Sequence, residues 1–241
     1  MSENVVIITG AGGGIGRATA IELSRRNYRC VLVGRTQNTL SETAKVARDS
    51  LPIVADVTKL ADVDAIVEKT LSRFGRIDAL VNNAGLAPIA SIEQTTPELW
   101  RDVIETNLSA TFYLCRAAWS ELKKSRGAIV NISSMAARDP FAGFLAYGAA
   151  KAAVNTFGLS LAREGAAAGV KVYTIAPGAV ETPMLRAILS PAEFPSEKTL
   201  APAEVASVIG QCISGESSYA SGEVIWLYKQ LSETKPSAAR Q

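Results

Sequence analysis

The sequence contains no histidine. That absence excludes a serine–histidine–aspartate triad, a histidine general base and any histidine-ligated metal site. A metal site built from carboxylates alone would need a cluster of acidic residues, and none stands out, so no metal is expected. Cysteine is scarce too. Cys30, Cys115 and Cys212 are odd in number, far apart and form no Cys-x-x-Cys pair. They read as reduced, mostly buried thiols of a cytosolic protein.

Long apolar runs are also missing. The first such run, over 5–8, has no basic region before it and is far too short for a signal peptide or a membrane span. A formal net charge of +2 is too small to imply a nucleic-acid or membrane partner through charge. There is no linker-like Gly/Ser stretch, internal repeat or low-complexity block. With 241 residues, 48% of them apolar, the chain can bury a large core. A single domain over 1–231 is expected, followed by a polar, frayed tail over 232–241.

β-Branched runs alternate with helical patterns from end to end. Strands are predicted over 5–8, 30–33, 51–55, 77–81, 128–132, 170–175 and 223–228. Helices are predicted over 15–26, 38–48 and 60–73, and a further one from about 202. Near-continuous apolar strands separated by helices indicate a parallel sheet covered on both faces. Right-handed crossovers then give an α/β fold, a doubly wound, Rossmann-type sheet of seven parallel strands.

Directly after the first strand comes Thr9-Gly10-Ala11-Gly12-Gly13-Gly14-Ile15-Gly16. The spacing Gly-x-x-x-Gly-x-Gly is met at Gly10, Gly14 and Gly16. Glycines there let the backbone turn sharply and approach a pyrophosphate without Cβ clashes. The helix opening near Ile15 offers unpaired N–H groups and a positive dipole end to phosphates. No Gly-Lys-Ser/Thr follows, which disfavours a nucleoside triphosphate loop. After the second strand, Gly34 stands where an NAD-selecting acid is usual, and Arg35 follows it. A guanidinium fork suits a 2′-phosphate, and a missing carboxylate removes repulsion against it. NADP(H) is therefore expected over NAD(H), the alternative being a solvated arginine at a strand end.

In mid-chain, Tyr147 and Lys151 are four apart in a helical segment, so their side chains share one face. A free phenol titrates near about 10, and lowering it by about three pH units would need roughly 4 kcal/mol of preferential phenolate stabilisation. Lys151 is the expected source, because an adjacent cation favours the ionised form.

Ser134 lies thirteen residues before Tyr147, and Asn107 further upstream. With the glycine loop, and in this order, these residues resemble the short-chain dehydrogenase/reductase family in its compact form, over residues 4 to 228. The resemblance implies an oxidoreductase in which Ser134 holds the substrate oxygen and Tyr147 donates or removes its proton. It implies that Lys151 also holds the nicotinamide ribose, and that Asn107 distorts a helix and holds a water linking Lys151 to solvent. Ser133 is the weaker serine candidate on spacing. Asp56-Val57 resembles the adenine contact, and Asn82-Asn83-Ala84-Gly85 the segment bracing the sheet beside the cofactor. Pro177, Gly178, Val180 and Thr182 resemble the segment that orients the nicotinamide.

Two departures from the family pattern stand out. The segment between Thr182 and Pro202, usually a substrate lid, is short, and no Asp-Gly-Gly follows the last strand. The pocket is expected to be bordered by Leu86, Met135, Phe141, Phe144, Met184 and Leu185, which suits a hydrophobic carbonyl compound or secondary alcohol. Apolar residues on more than one helix face, among them Val103, Ile104, Phe112, Trp119, Phe157 and Leu161, suggest burial beyond one protomer. The family favours a homotetramer, or a dimer if the altered C-terminus spoils one contact. The alternative from another class is a catalytically silent dinucleotide-binding regulatory module. An epimerase or dehydratase of similar fold would usually carry an additional C-terminal substrate domain.

Overall fold

The computed structural model describes residues 4–229. The expected tail lies outside the described residues. The first half of the chain runs β1 (Val5–Thr9), α1 (Gly14–Arg25), β2 (Arg29–Gly34), α2 (Gln37–Ala44), β3 (Leu51–Val54), α3 (Leu60–Phe74) and β4 (Ala79–Asn82). It continues through α4 (Pro97–Ile104), α5 (Ala110–Ser125), β5 (Ala128–Ile132), α6 (Leu145–Gly165) and β6 (Lys171–Pro177). Two further helices, α7 (Pro183–Arg186) and α8 (Pro202–Ser214), precede β7 (Val224–Leu227).

The seven strands form one sheet in the order β3-β2-β1-β4-β5-β6-β7, and every pairing is parallel. The reason is visible in β1. Alternate side chains point to opposite faces of a strand. Val6 and Ile8 enter the core beneath α1 and α8, whereas Val5 and Ile7 enter the core shared with α3 and α5. Both faces are buried, so the strand reads as an unbroken apolar run.

Most element ends agree with the sequence reading to within a residue or two. The second helix ends at Ala44 rather than 48. Its next residues continue as turns, and Asp49 takes a left-handed backbone with φ of 50°. The helix around Asn107 is distorted, as the resemblance implies: Glu105–Ser109 is a π-helix inserted between α4 and α5. Single π turns interrupt an α-helix at the expense of regular hydrogen bonding and are frequent at functional sites. Among the described residues, no helix is long and apolar enough to cross a membrane.

Candidate active site

β1 sits between β2 and β4, so the sheet order reverses at its C-terminal end, where a crevice must open. A cavity of about 460 Å³ occupies that place, formed by the loops that follow β1, β4, β5 and β6. One buried hydroxyl ties two of these loops together. Thr9 Oγ1 accepts hydrogen bonds from Asn83 N and Ala84 N, both at 2.9 Å, and donates to Val81 O at 3.3 Å. Asn83 Nδ2 returns the contact by donating to Thr9 O at 2.8 Å. Thr9 precedes the glycines in sequence, and only the parallel pairing of β1 with β4 reveals its reach.

The glycine loop is shaped as a cradle. Gly10 and Gly14 have φ of 63° and 50°, in the left-handed region that favours glycine. Gly16 is required for a different reason: a Cβ there would lie 2.2 Å from Gly10 O and 2.7 Å from Asn83 Nδ2. Gly12, absent from the spacing motif, is also hemmed in, though by a side chain: its Cβ would lie 2.4 Å from Oγ1 of the exposed Thr39. The N-cap of α1 is Gly13, whose position offers no side-chain cap and is followed by no acidic residue in the first turn. The first N–H groups of α1, around Ile15, therefore face an open, electropositive end that fits a pyrophosphate.

Gly10, Gly14 and Ile15 line the cavity, as do Asn83, Pro177, Gly178, Val180 and Thr182. Across it, a Cβ on Gly14 would meet Thr182 Cγ2 at 3.1 Å, so the first and sixth strand loops close on one another. Gly16 lies beneath the loop. Arg35, Asp56 and Val57 do not line this cavity; they stand at the ends of β2 and β3 on the same edge of the sheet. Arg35 is exposed there. Asp56 is titrated below the ordinary carboxylate range, chiefly because its carboxylate accepts the Thr58 hydroxyl at 2.8 Å, with a smaller contribution from the Arg35 charge. Val57 is buried in the core, so only its backbone is available to a ligand.

Asn107, Ser134, Tyr147 and Lys151 all line the cavity. The Ser134 hydroxyl is within hydrogen-bonding reach of the Tyr147 hydroxyl. Ser133 faces away, its Oγ donating to Lys151 O at 3.0 Å. Lys151 is buried and its Nζ donates to Ile132 O at 2.8 Å, 5.7 Å from the centre of the Tyr147 ring. The π turn carries Asn107 towards the lysine. Asn107 Nδ2 donates to Val103 O and Leu86 O, both at 2.9 Å, while its buried Oδ1 has no partner among the described residues. A Cβ on Gly85 would lie 2.6 Å from that Oδ1 and 3.6 Å from Lys151 Nζ. Gly85 thus keeps open the space that the two groups share, a role the turn-like sequence Asn-Asn-Ala-Gly conceals.

Three expectations are corrected here. Tyr147 does not titrate below 10. Burial raises it, and the hydrogen bond with Ser134 offsets only part of that rise. Lys151, brought down to about 8 by burial, still carries its charge at neutral pH, but its Nζ is bonded to Ile132 O and lies 5.7 Å from the ring centre, and it does not offset the desolvation of the phenol. Leu86 also leaves the pocket: its side chain packs with Val103 and Ala150, so the apolar wall is formed by Met135, Phe141, Phe144, Met184 and Leu185. Val103 is itself fully buried within the chain, and its apolarity needs no second protomer.

A parallel α/β sheet with a glycine cradle at its switch point, and a tyrosine–lysine pair beside it, defines a dinucleotide-binding oxidoreductase. The chain belongs to the short-chain dehydrogenase family, whose pattern it matches over residues 4–192. It is 33% identical over 229 residues to the 3-oxoacyl-[acyl-carrier-protein] reductase of Escherichia coli K12, covering 92% of this chain and 94% of that one. It is 38% identical over 186 residues to an uncharacterised oxidoreductase of Staphylococcus epidermidis RP62A, covering 76% and 81%. Among solved structures, the 3-ketoacyl-(acyl-carrier-protein) reductase of Brucella melitensis complexed with NADH superposes with a TM-score of 0.88 at 29% identity, covering 93% of this chain and 96% of that one. Levodione reductase superposes equally well, with a TM-score of 0.88 at 28% identity over 95% and 97%.

The buried lysine has a consequence for stability. A folded-state value near 8 against an ordinary 10.5 means that folding opposes the Lys151 charge by about 3 kcal/mol. The penalty is complete below pH 8 and fades as pH rises from 8 towards 10.5, where the folded state sheds the proton first. Lys151→Met should therefore stabilise the cofactor-free protein at pH 7 by about 1–3 kcal/mol, allowing for the lost bond to Ile132. The gain should shrink above pH 8 in denaturant unfolding measured across pH.

Proposed function

We propose that the protein is an NADPH-dependent reductase of hydrophobic ketones or aldehydes, able to run the matching secondary-alcohol oxidation in reverse. The observation that carries this reading is that Tyr147, Ser134, Lys151 and Asn107 share one cavity with the glycine cradle on one side and apolar walls on the other.

In this reading Gly10, Gly14, Gly16 and the N–H groups near Ile15 hold the pyrophosphate. Arg35 pairs with the 2′-phosphate, and Asp56 and the Val57 backbone border the adenine. Lys151 holds the nicotinamide ribose, while Pro177, Gly178, Val180 and Thr182 orient the carboxamide, with Asn83 bracing the loop behind. The reduced nicotinamide, when bound, supplies the hydride. Ser134 donates a hydrogen bond to the carbonyl oxygen and fixes its position. Tyr147 gives its proton to that oxygen as negative charge develops there. A phenol kept protonated by burial is in the form that reduction requires. Lys151, titrating near 8, then returns a proton to Tyr147 and is itself reprotonated from solvent through a water, which the unpaired Oδ1 of Asn107 would hold in place by accepting its hydrogen bond.

The substrate class follows from the walls. Only Lys151 and Asp139 among the lining residues carry charge, and the rings of Tyr147, Phe144 and Phe141 follow one another outward at 5.3 and 5.9 Å. An apolar channel with a carboxylate at its side suits a neutral, hydrophobic carbonyl and opposes an anionic one. The protein is proposed to act in the cytosol.

Tyr147→Phe removes the proton donor and should lower turnover by at least about 100-fold, within the usual range for general acid catalysis. Reduced-dinucleotide affinity should stay nearly constant. Loss of nicotinamide absorbance with a panel of carbonyl compounds measures this, and near-normal turnover in the variant would overturn the mechanism.

The Brucella enzyme carries NADH, but that complex is the relative's own. Here Gly34 removes the carboxylate and Arg35 stands exposed beside it. Charge-assisted contacts of this kind contribute about 1.5–3 kcal/mol, so NADPH should be preferred over NADH by about ten- to a hundredfold. Arg35→Ala should erase most of that preference and leave the NADH rate unchanged. Equal use of both cofactors by the unaltered protein would return Arg35 to the solvated surface.

Assembly is proposed to use the groove of about 240 Å³ between α5 and α6, lined by Phe112, Trp119, Phe157 and Leu161. Phe112 is 47% exposed there, a poor place for a lone aromatic ring on a monomer. A second copy of the same helix pair would cover it in an isologous contact. Light scattering at micromolar concentration should give a dimer or tetramer, and a monomer would refute the assignment.

A further inference from the structure

Between β6 and α8 the chain has little regular structure to order it: the four-residue α7, one 3₁₀ turn over Ser196–Lys198 and the bridge between Val180 and Leu200. It nevertheless presents Met184, Leu185, Ile188, Leu189 and Phe194 to the cavity. A single side chain gathers this segment. Arg186 Nε donates to Glu181 Oε1 at 2.6 Å, and Nη2 donates to Glu181 Oε2, a two-pronged ion pair across the start of the lid. Nη1 donates to Phe194 O at 2.9 Å and Leu189 O at 3.3 Å, and Nη2 also donates to Ser196 Oγ at 3.2 Å. All five donors of the guanidinium are thereby used.

The acceptor side is equally committed. Thr199 Oγ1 donates to Glu181 Oε2 at 3.2 Å, and Glu181 N donates to Leu200 O at 2.9 Å. Arg186 holds the Glu181 carboxyl at about 2, first through their hydrogen bond, so the pair stays ionised throughout the physiological range. Residues 181, 186, 189, 194, 196 and 199 are thus linked to one guanidinium–carboxylate pair, whose side chains retain only 19% and 36% exposure. A lysine, with one compact ammonium and no fork, could not reach these acceptors together.

We propose that Arg186 and Glu181 form a clasp that holds the short lid closed in the free protein, making Arg186 a positioning residue that determines specificity for apolar carbonyl substrates. The proposal rests on the reading of the cavity as a carbonyl pocket. An ordered apolar wall, present before substrate arrives, lets each added methylene be buried without first ordering the loop. In a preformed pocket each methylene should improve kcat/KM by about fourfold, the equivalent of about 0.8 kcal/mol, until the cavity is filled. In a loose lid the apolar wall is not held against the chain, so each methylene is buried only in part and most of that gain is lost.

The test uses Arg186→Lys, Arg186→Met and Glu181→Gln with straight-chain methyl ketones of increasing length. For the unaltered protein kcat/KM should rise by about three- to fourfold per methylene. In the variants the rise should flatten to less than about 1.5-fold, through KM, with kcat for the shortest ketone and the dissociation constant for NADPH each within about threefold. Amide hydrogen exchange of the cofactor-free proteins gives a readout that needs no turnover. Backbone amides over 184–198 should exchange at least tenfold faster in the variants, while those of β1, β4 and β5 stay protected. Unchanged lid exchange, or an unchanged chain-length dependence in a folded variant, overturns the clasp. An equal weakening of NADPH binding and of every substrate also overturns it, since the pair would then support the fold as a whole. Absence of ketone turnover by the unaltered protein would defeat the carbonyl-reductase reading, while the exchange comparison would still decide the clasp.

Discussion

The site depends on one hydroxyl buried at the switch point of the sheet. Thr9 ends β1, and its Oγ1 uses both lone pairs on Asn83 N and Ala84 N and its proton on Val81 O. The loop that must turn back as a glycine cradle and the loop that must leave room beside the lysine are held at one fixed separation. Asn83 completes the brace by donating to Thr9 O and Gly10 O. The close approach of Gly16 to Gly10 O depends on the same contact, because the amide of Asn83 fills the remaining space. Replacing Thr9 by a residue without the hydroxyl would leave buried amide donors unpaired, at about 1–3 kcal/mol each.

The second organising feature is electrostatic. Lys151 is buried and Tyr147 half-buried at the cavity wall, and desolvation acts on them in opposite senses, raising the phenol and lowering the ammonium. The two values move apart, the phenol above 10 and the ammonium down to about 8, so the return of a proton from Lys151 to a Tyr147 phenolate runs downhill. Helical spacing alone suggests instead a lysine charge that lowers the tyrosine, to which an oxidised nicotinamide would add. Spacing conveys adjacency, whereas desolvation depends on the loops around 85, 132 and 177 that close over the pair. The Lys151 ammonium is stabilised by the Ile132 carbonyl at a strand end, a partner nineteen residues away that no local pattern discloses.

The α/β sheet and its seven strands were legible because each buried strand is an apolar run, and strand interiors leave little freedom. The cradle was legible because backbone geometry demands glycine at fixed spacing. Other features were hidden for a common reason. The π turn at Glu105–Ser109 leaves no compositional mark, since its residues are ordinary helix formers around one asparagine. Gly12 and Gly85 are constrained by side chains that arrive from distant segments, Thr39 and Asn107. Leu86 was assigned to the pocket from its neighbourhood in sequence, and a rotation of that loop put its side chain into the core instead. The lid appeared only as a short segment, with nothing to show that Arg186 would bind at both of its ends.

The two halves of the site are built from different materials. The dinucleotide half is made of backbone: positive φ at Gly10 and Gly14, helix N–H groups and strand-end turns. Such features tolerate few replacements, because the space at Gly16 and the left-handed backbone at Gly10 and Gly14 admit little but glycine. The substrate half is made of side chains on a lid shaped by its own ion pair. An apolar wall of Met184, Leu185, Ile188, Leu189 and Phe194 can be exchanged residue by residue without disturbing the sheet, because none of these side chains belongs to either main core. Family membership therefore fixes the reaction type through the rigid half, and substrate choice must be argued from this chain's own lid.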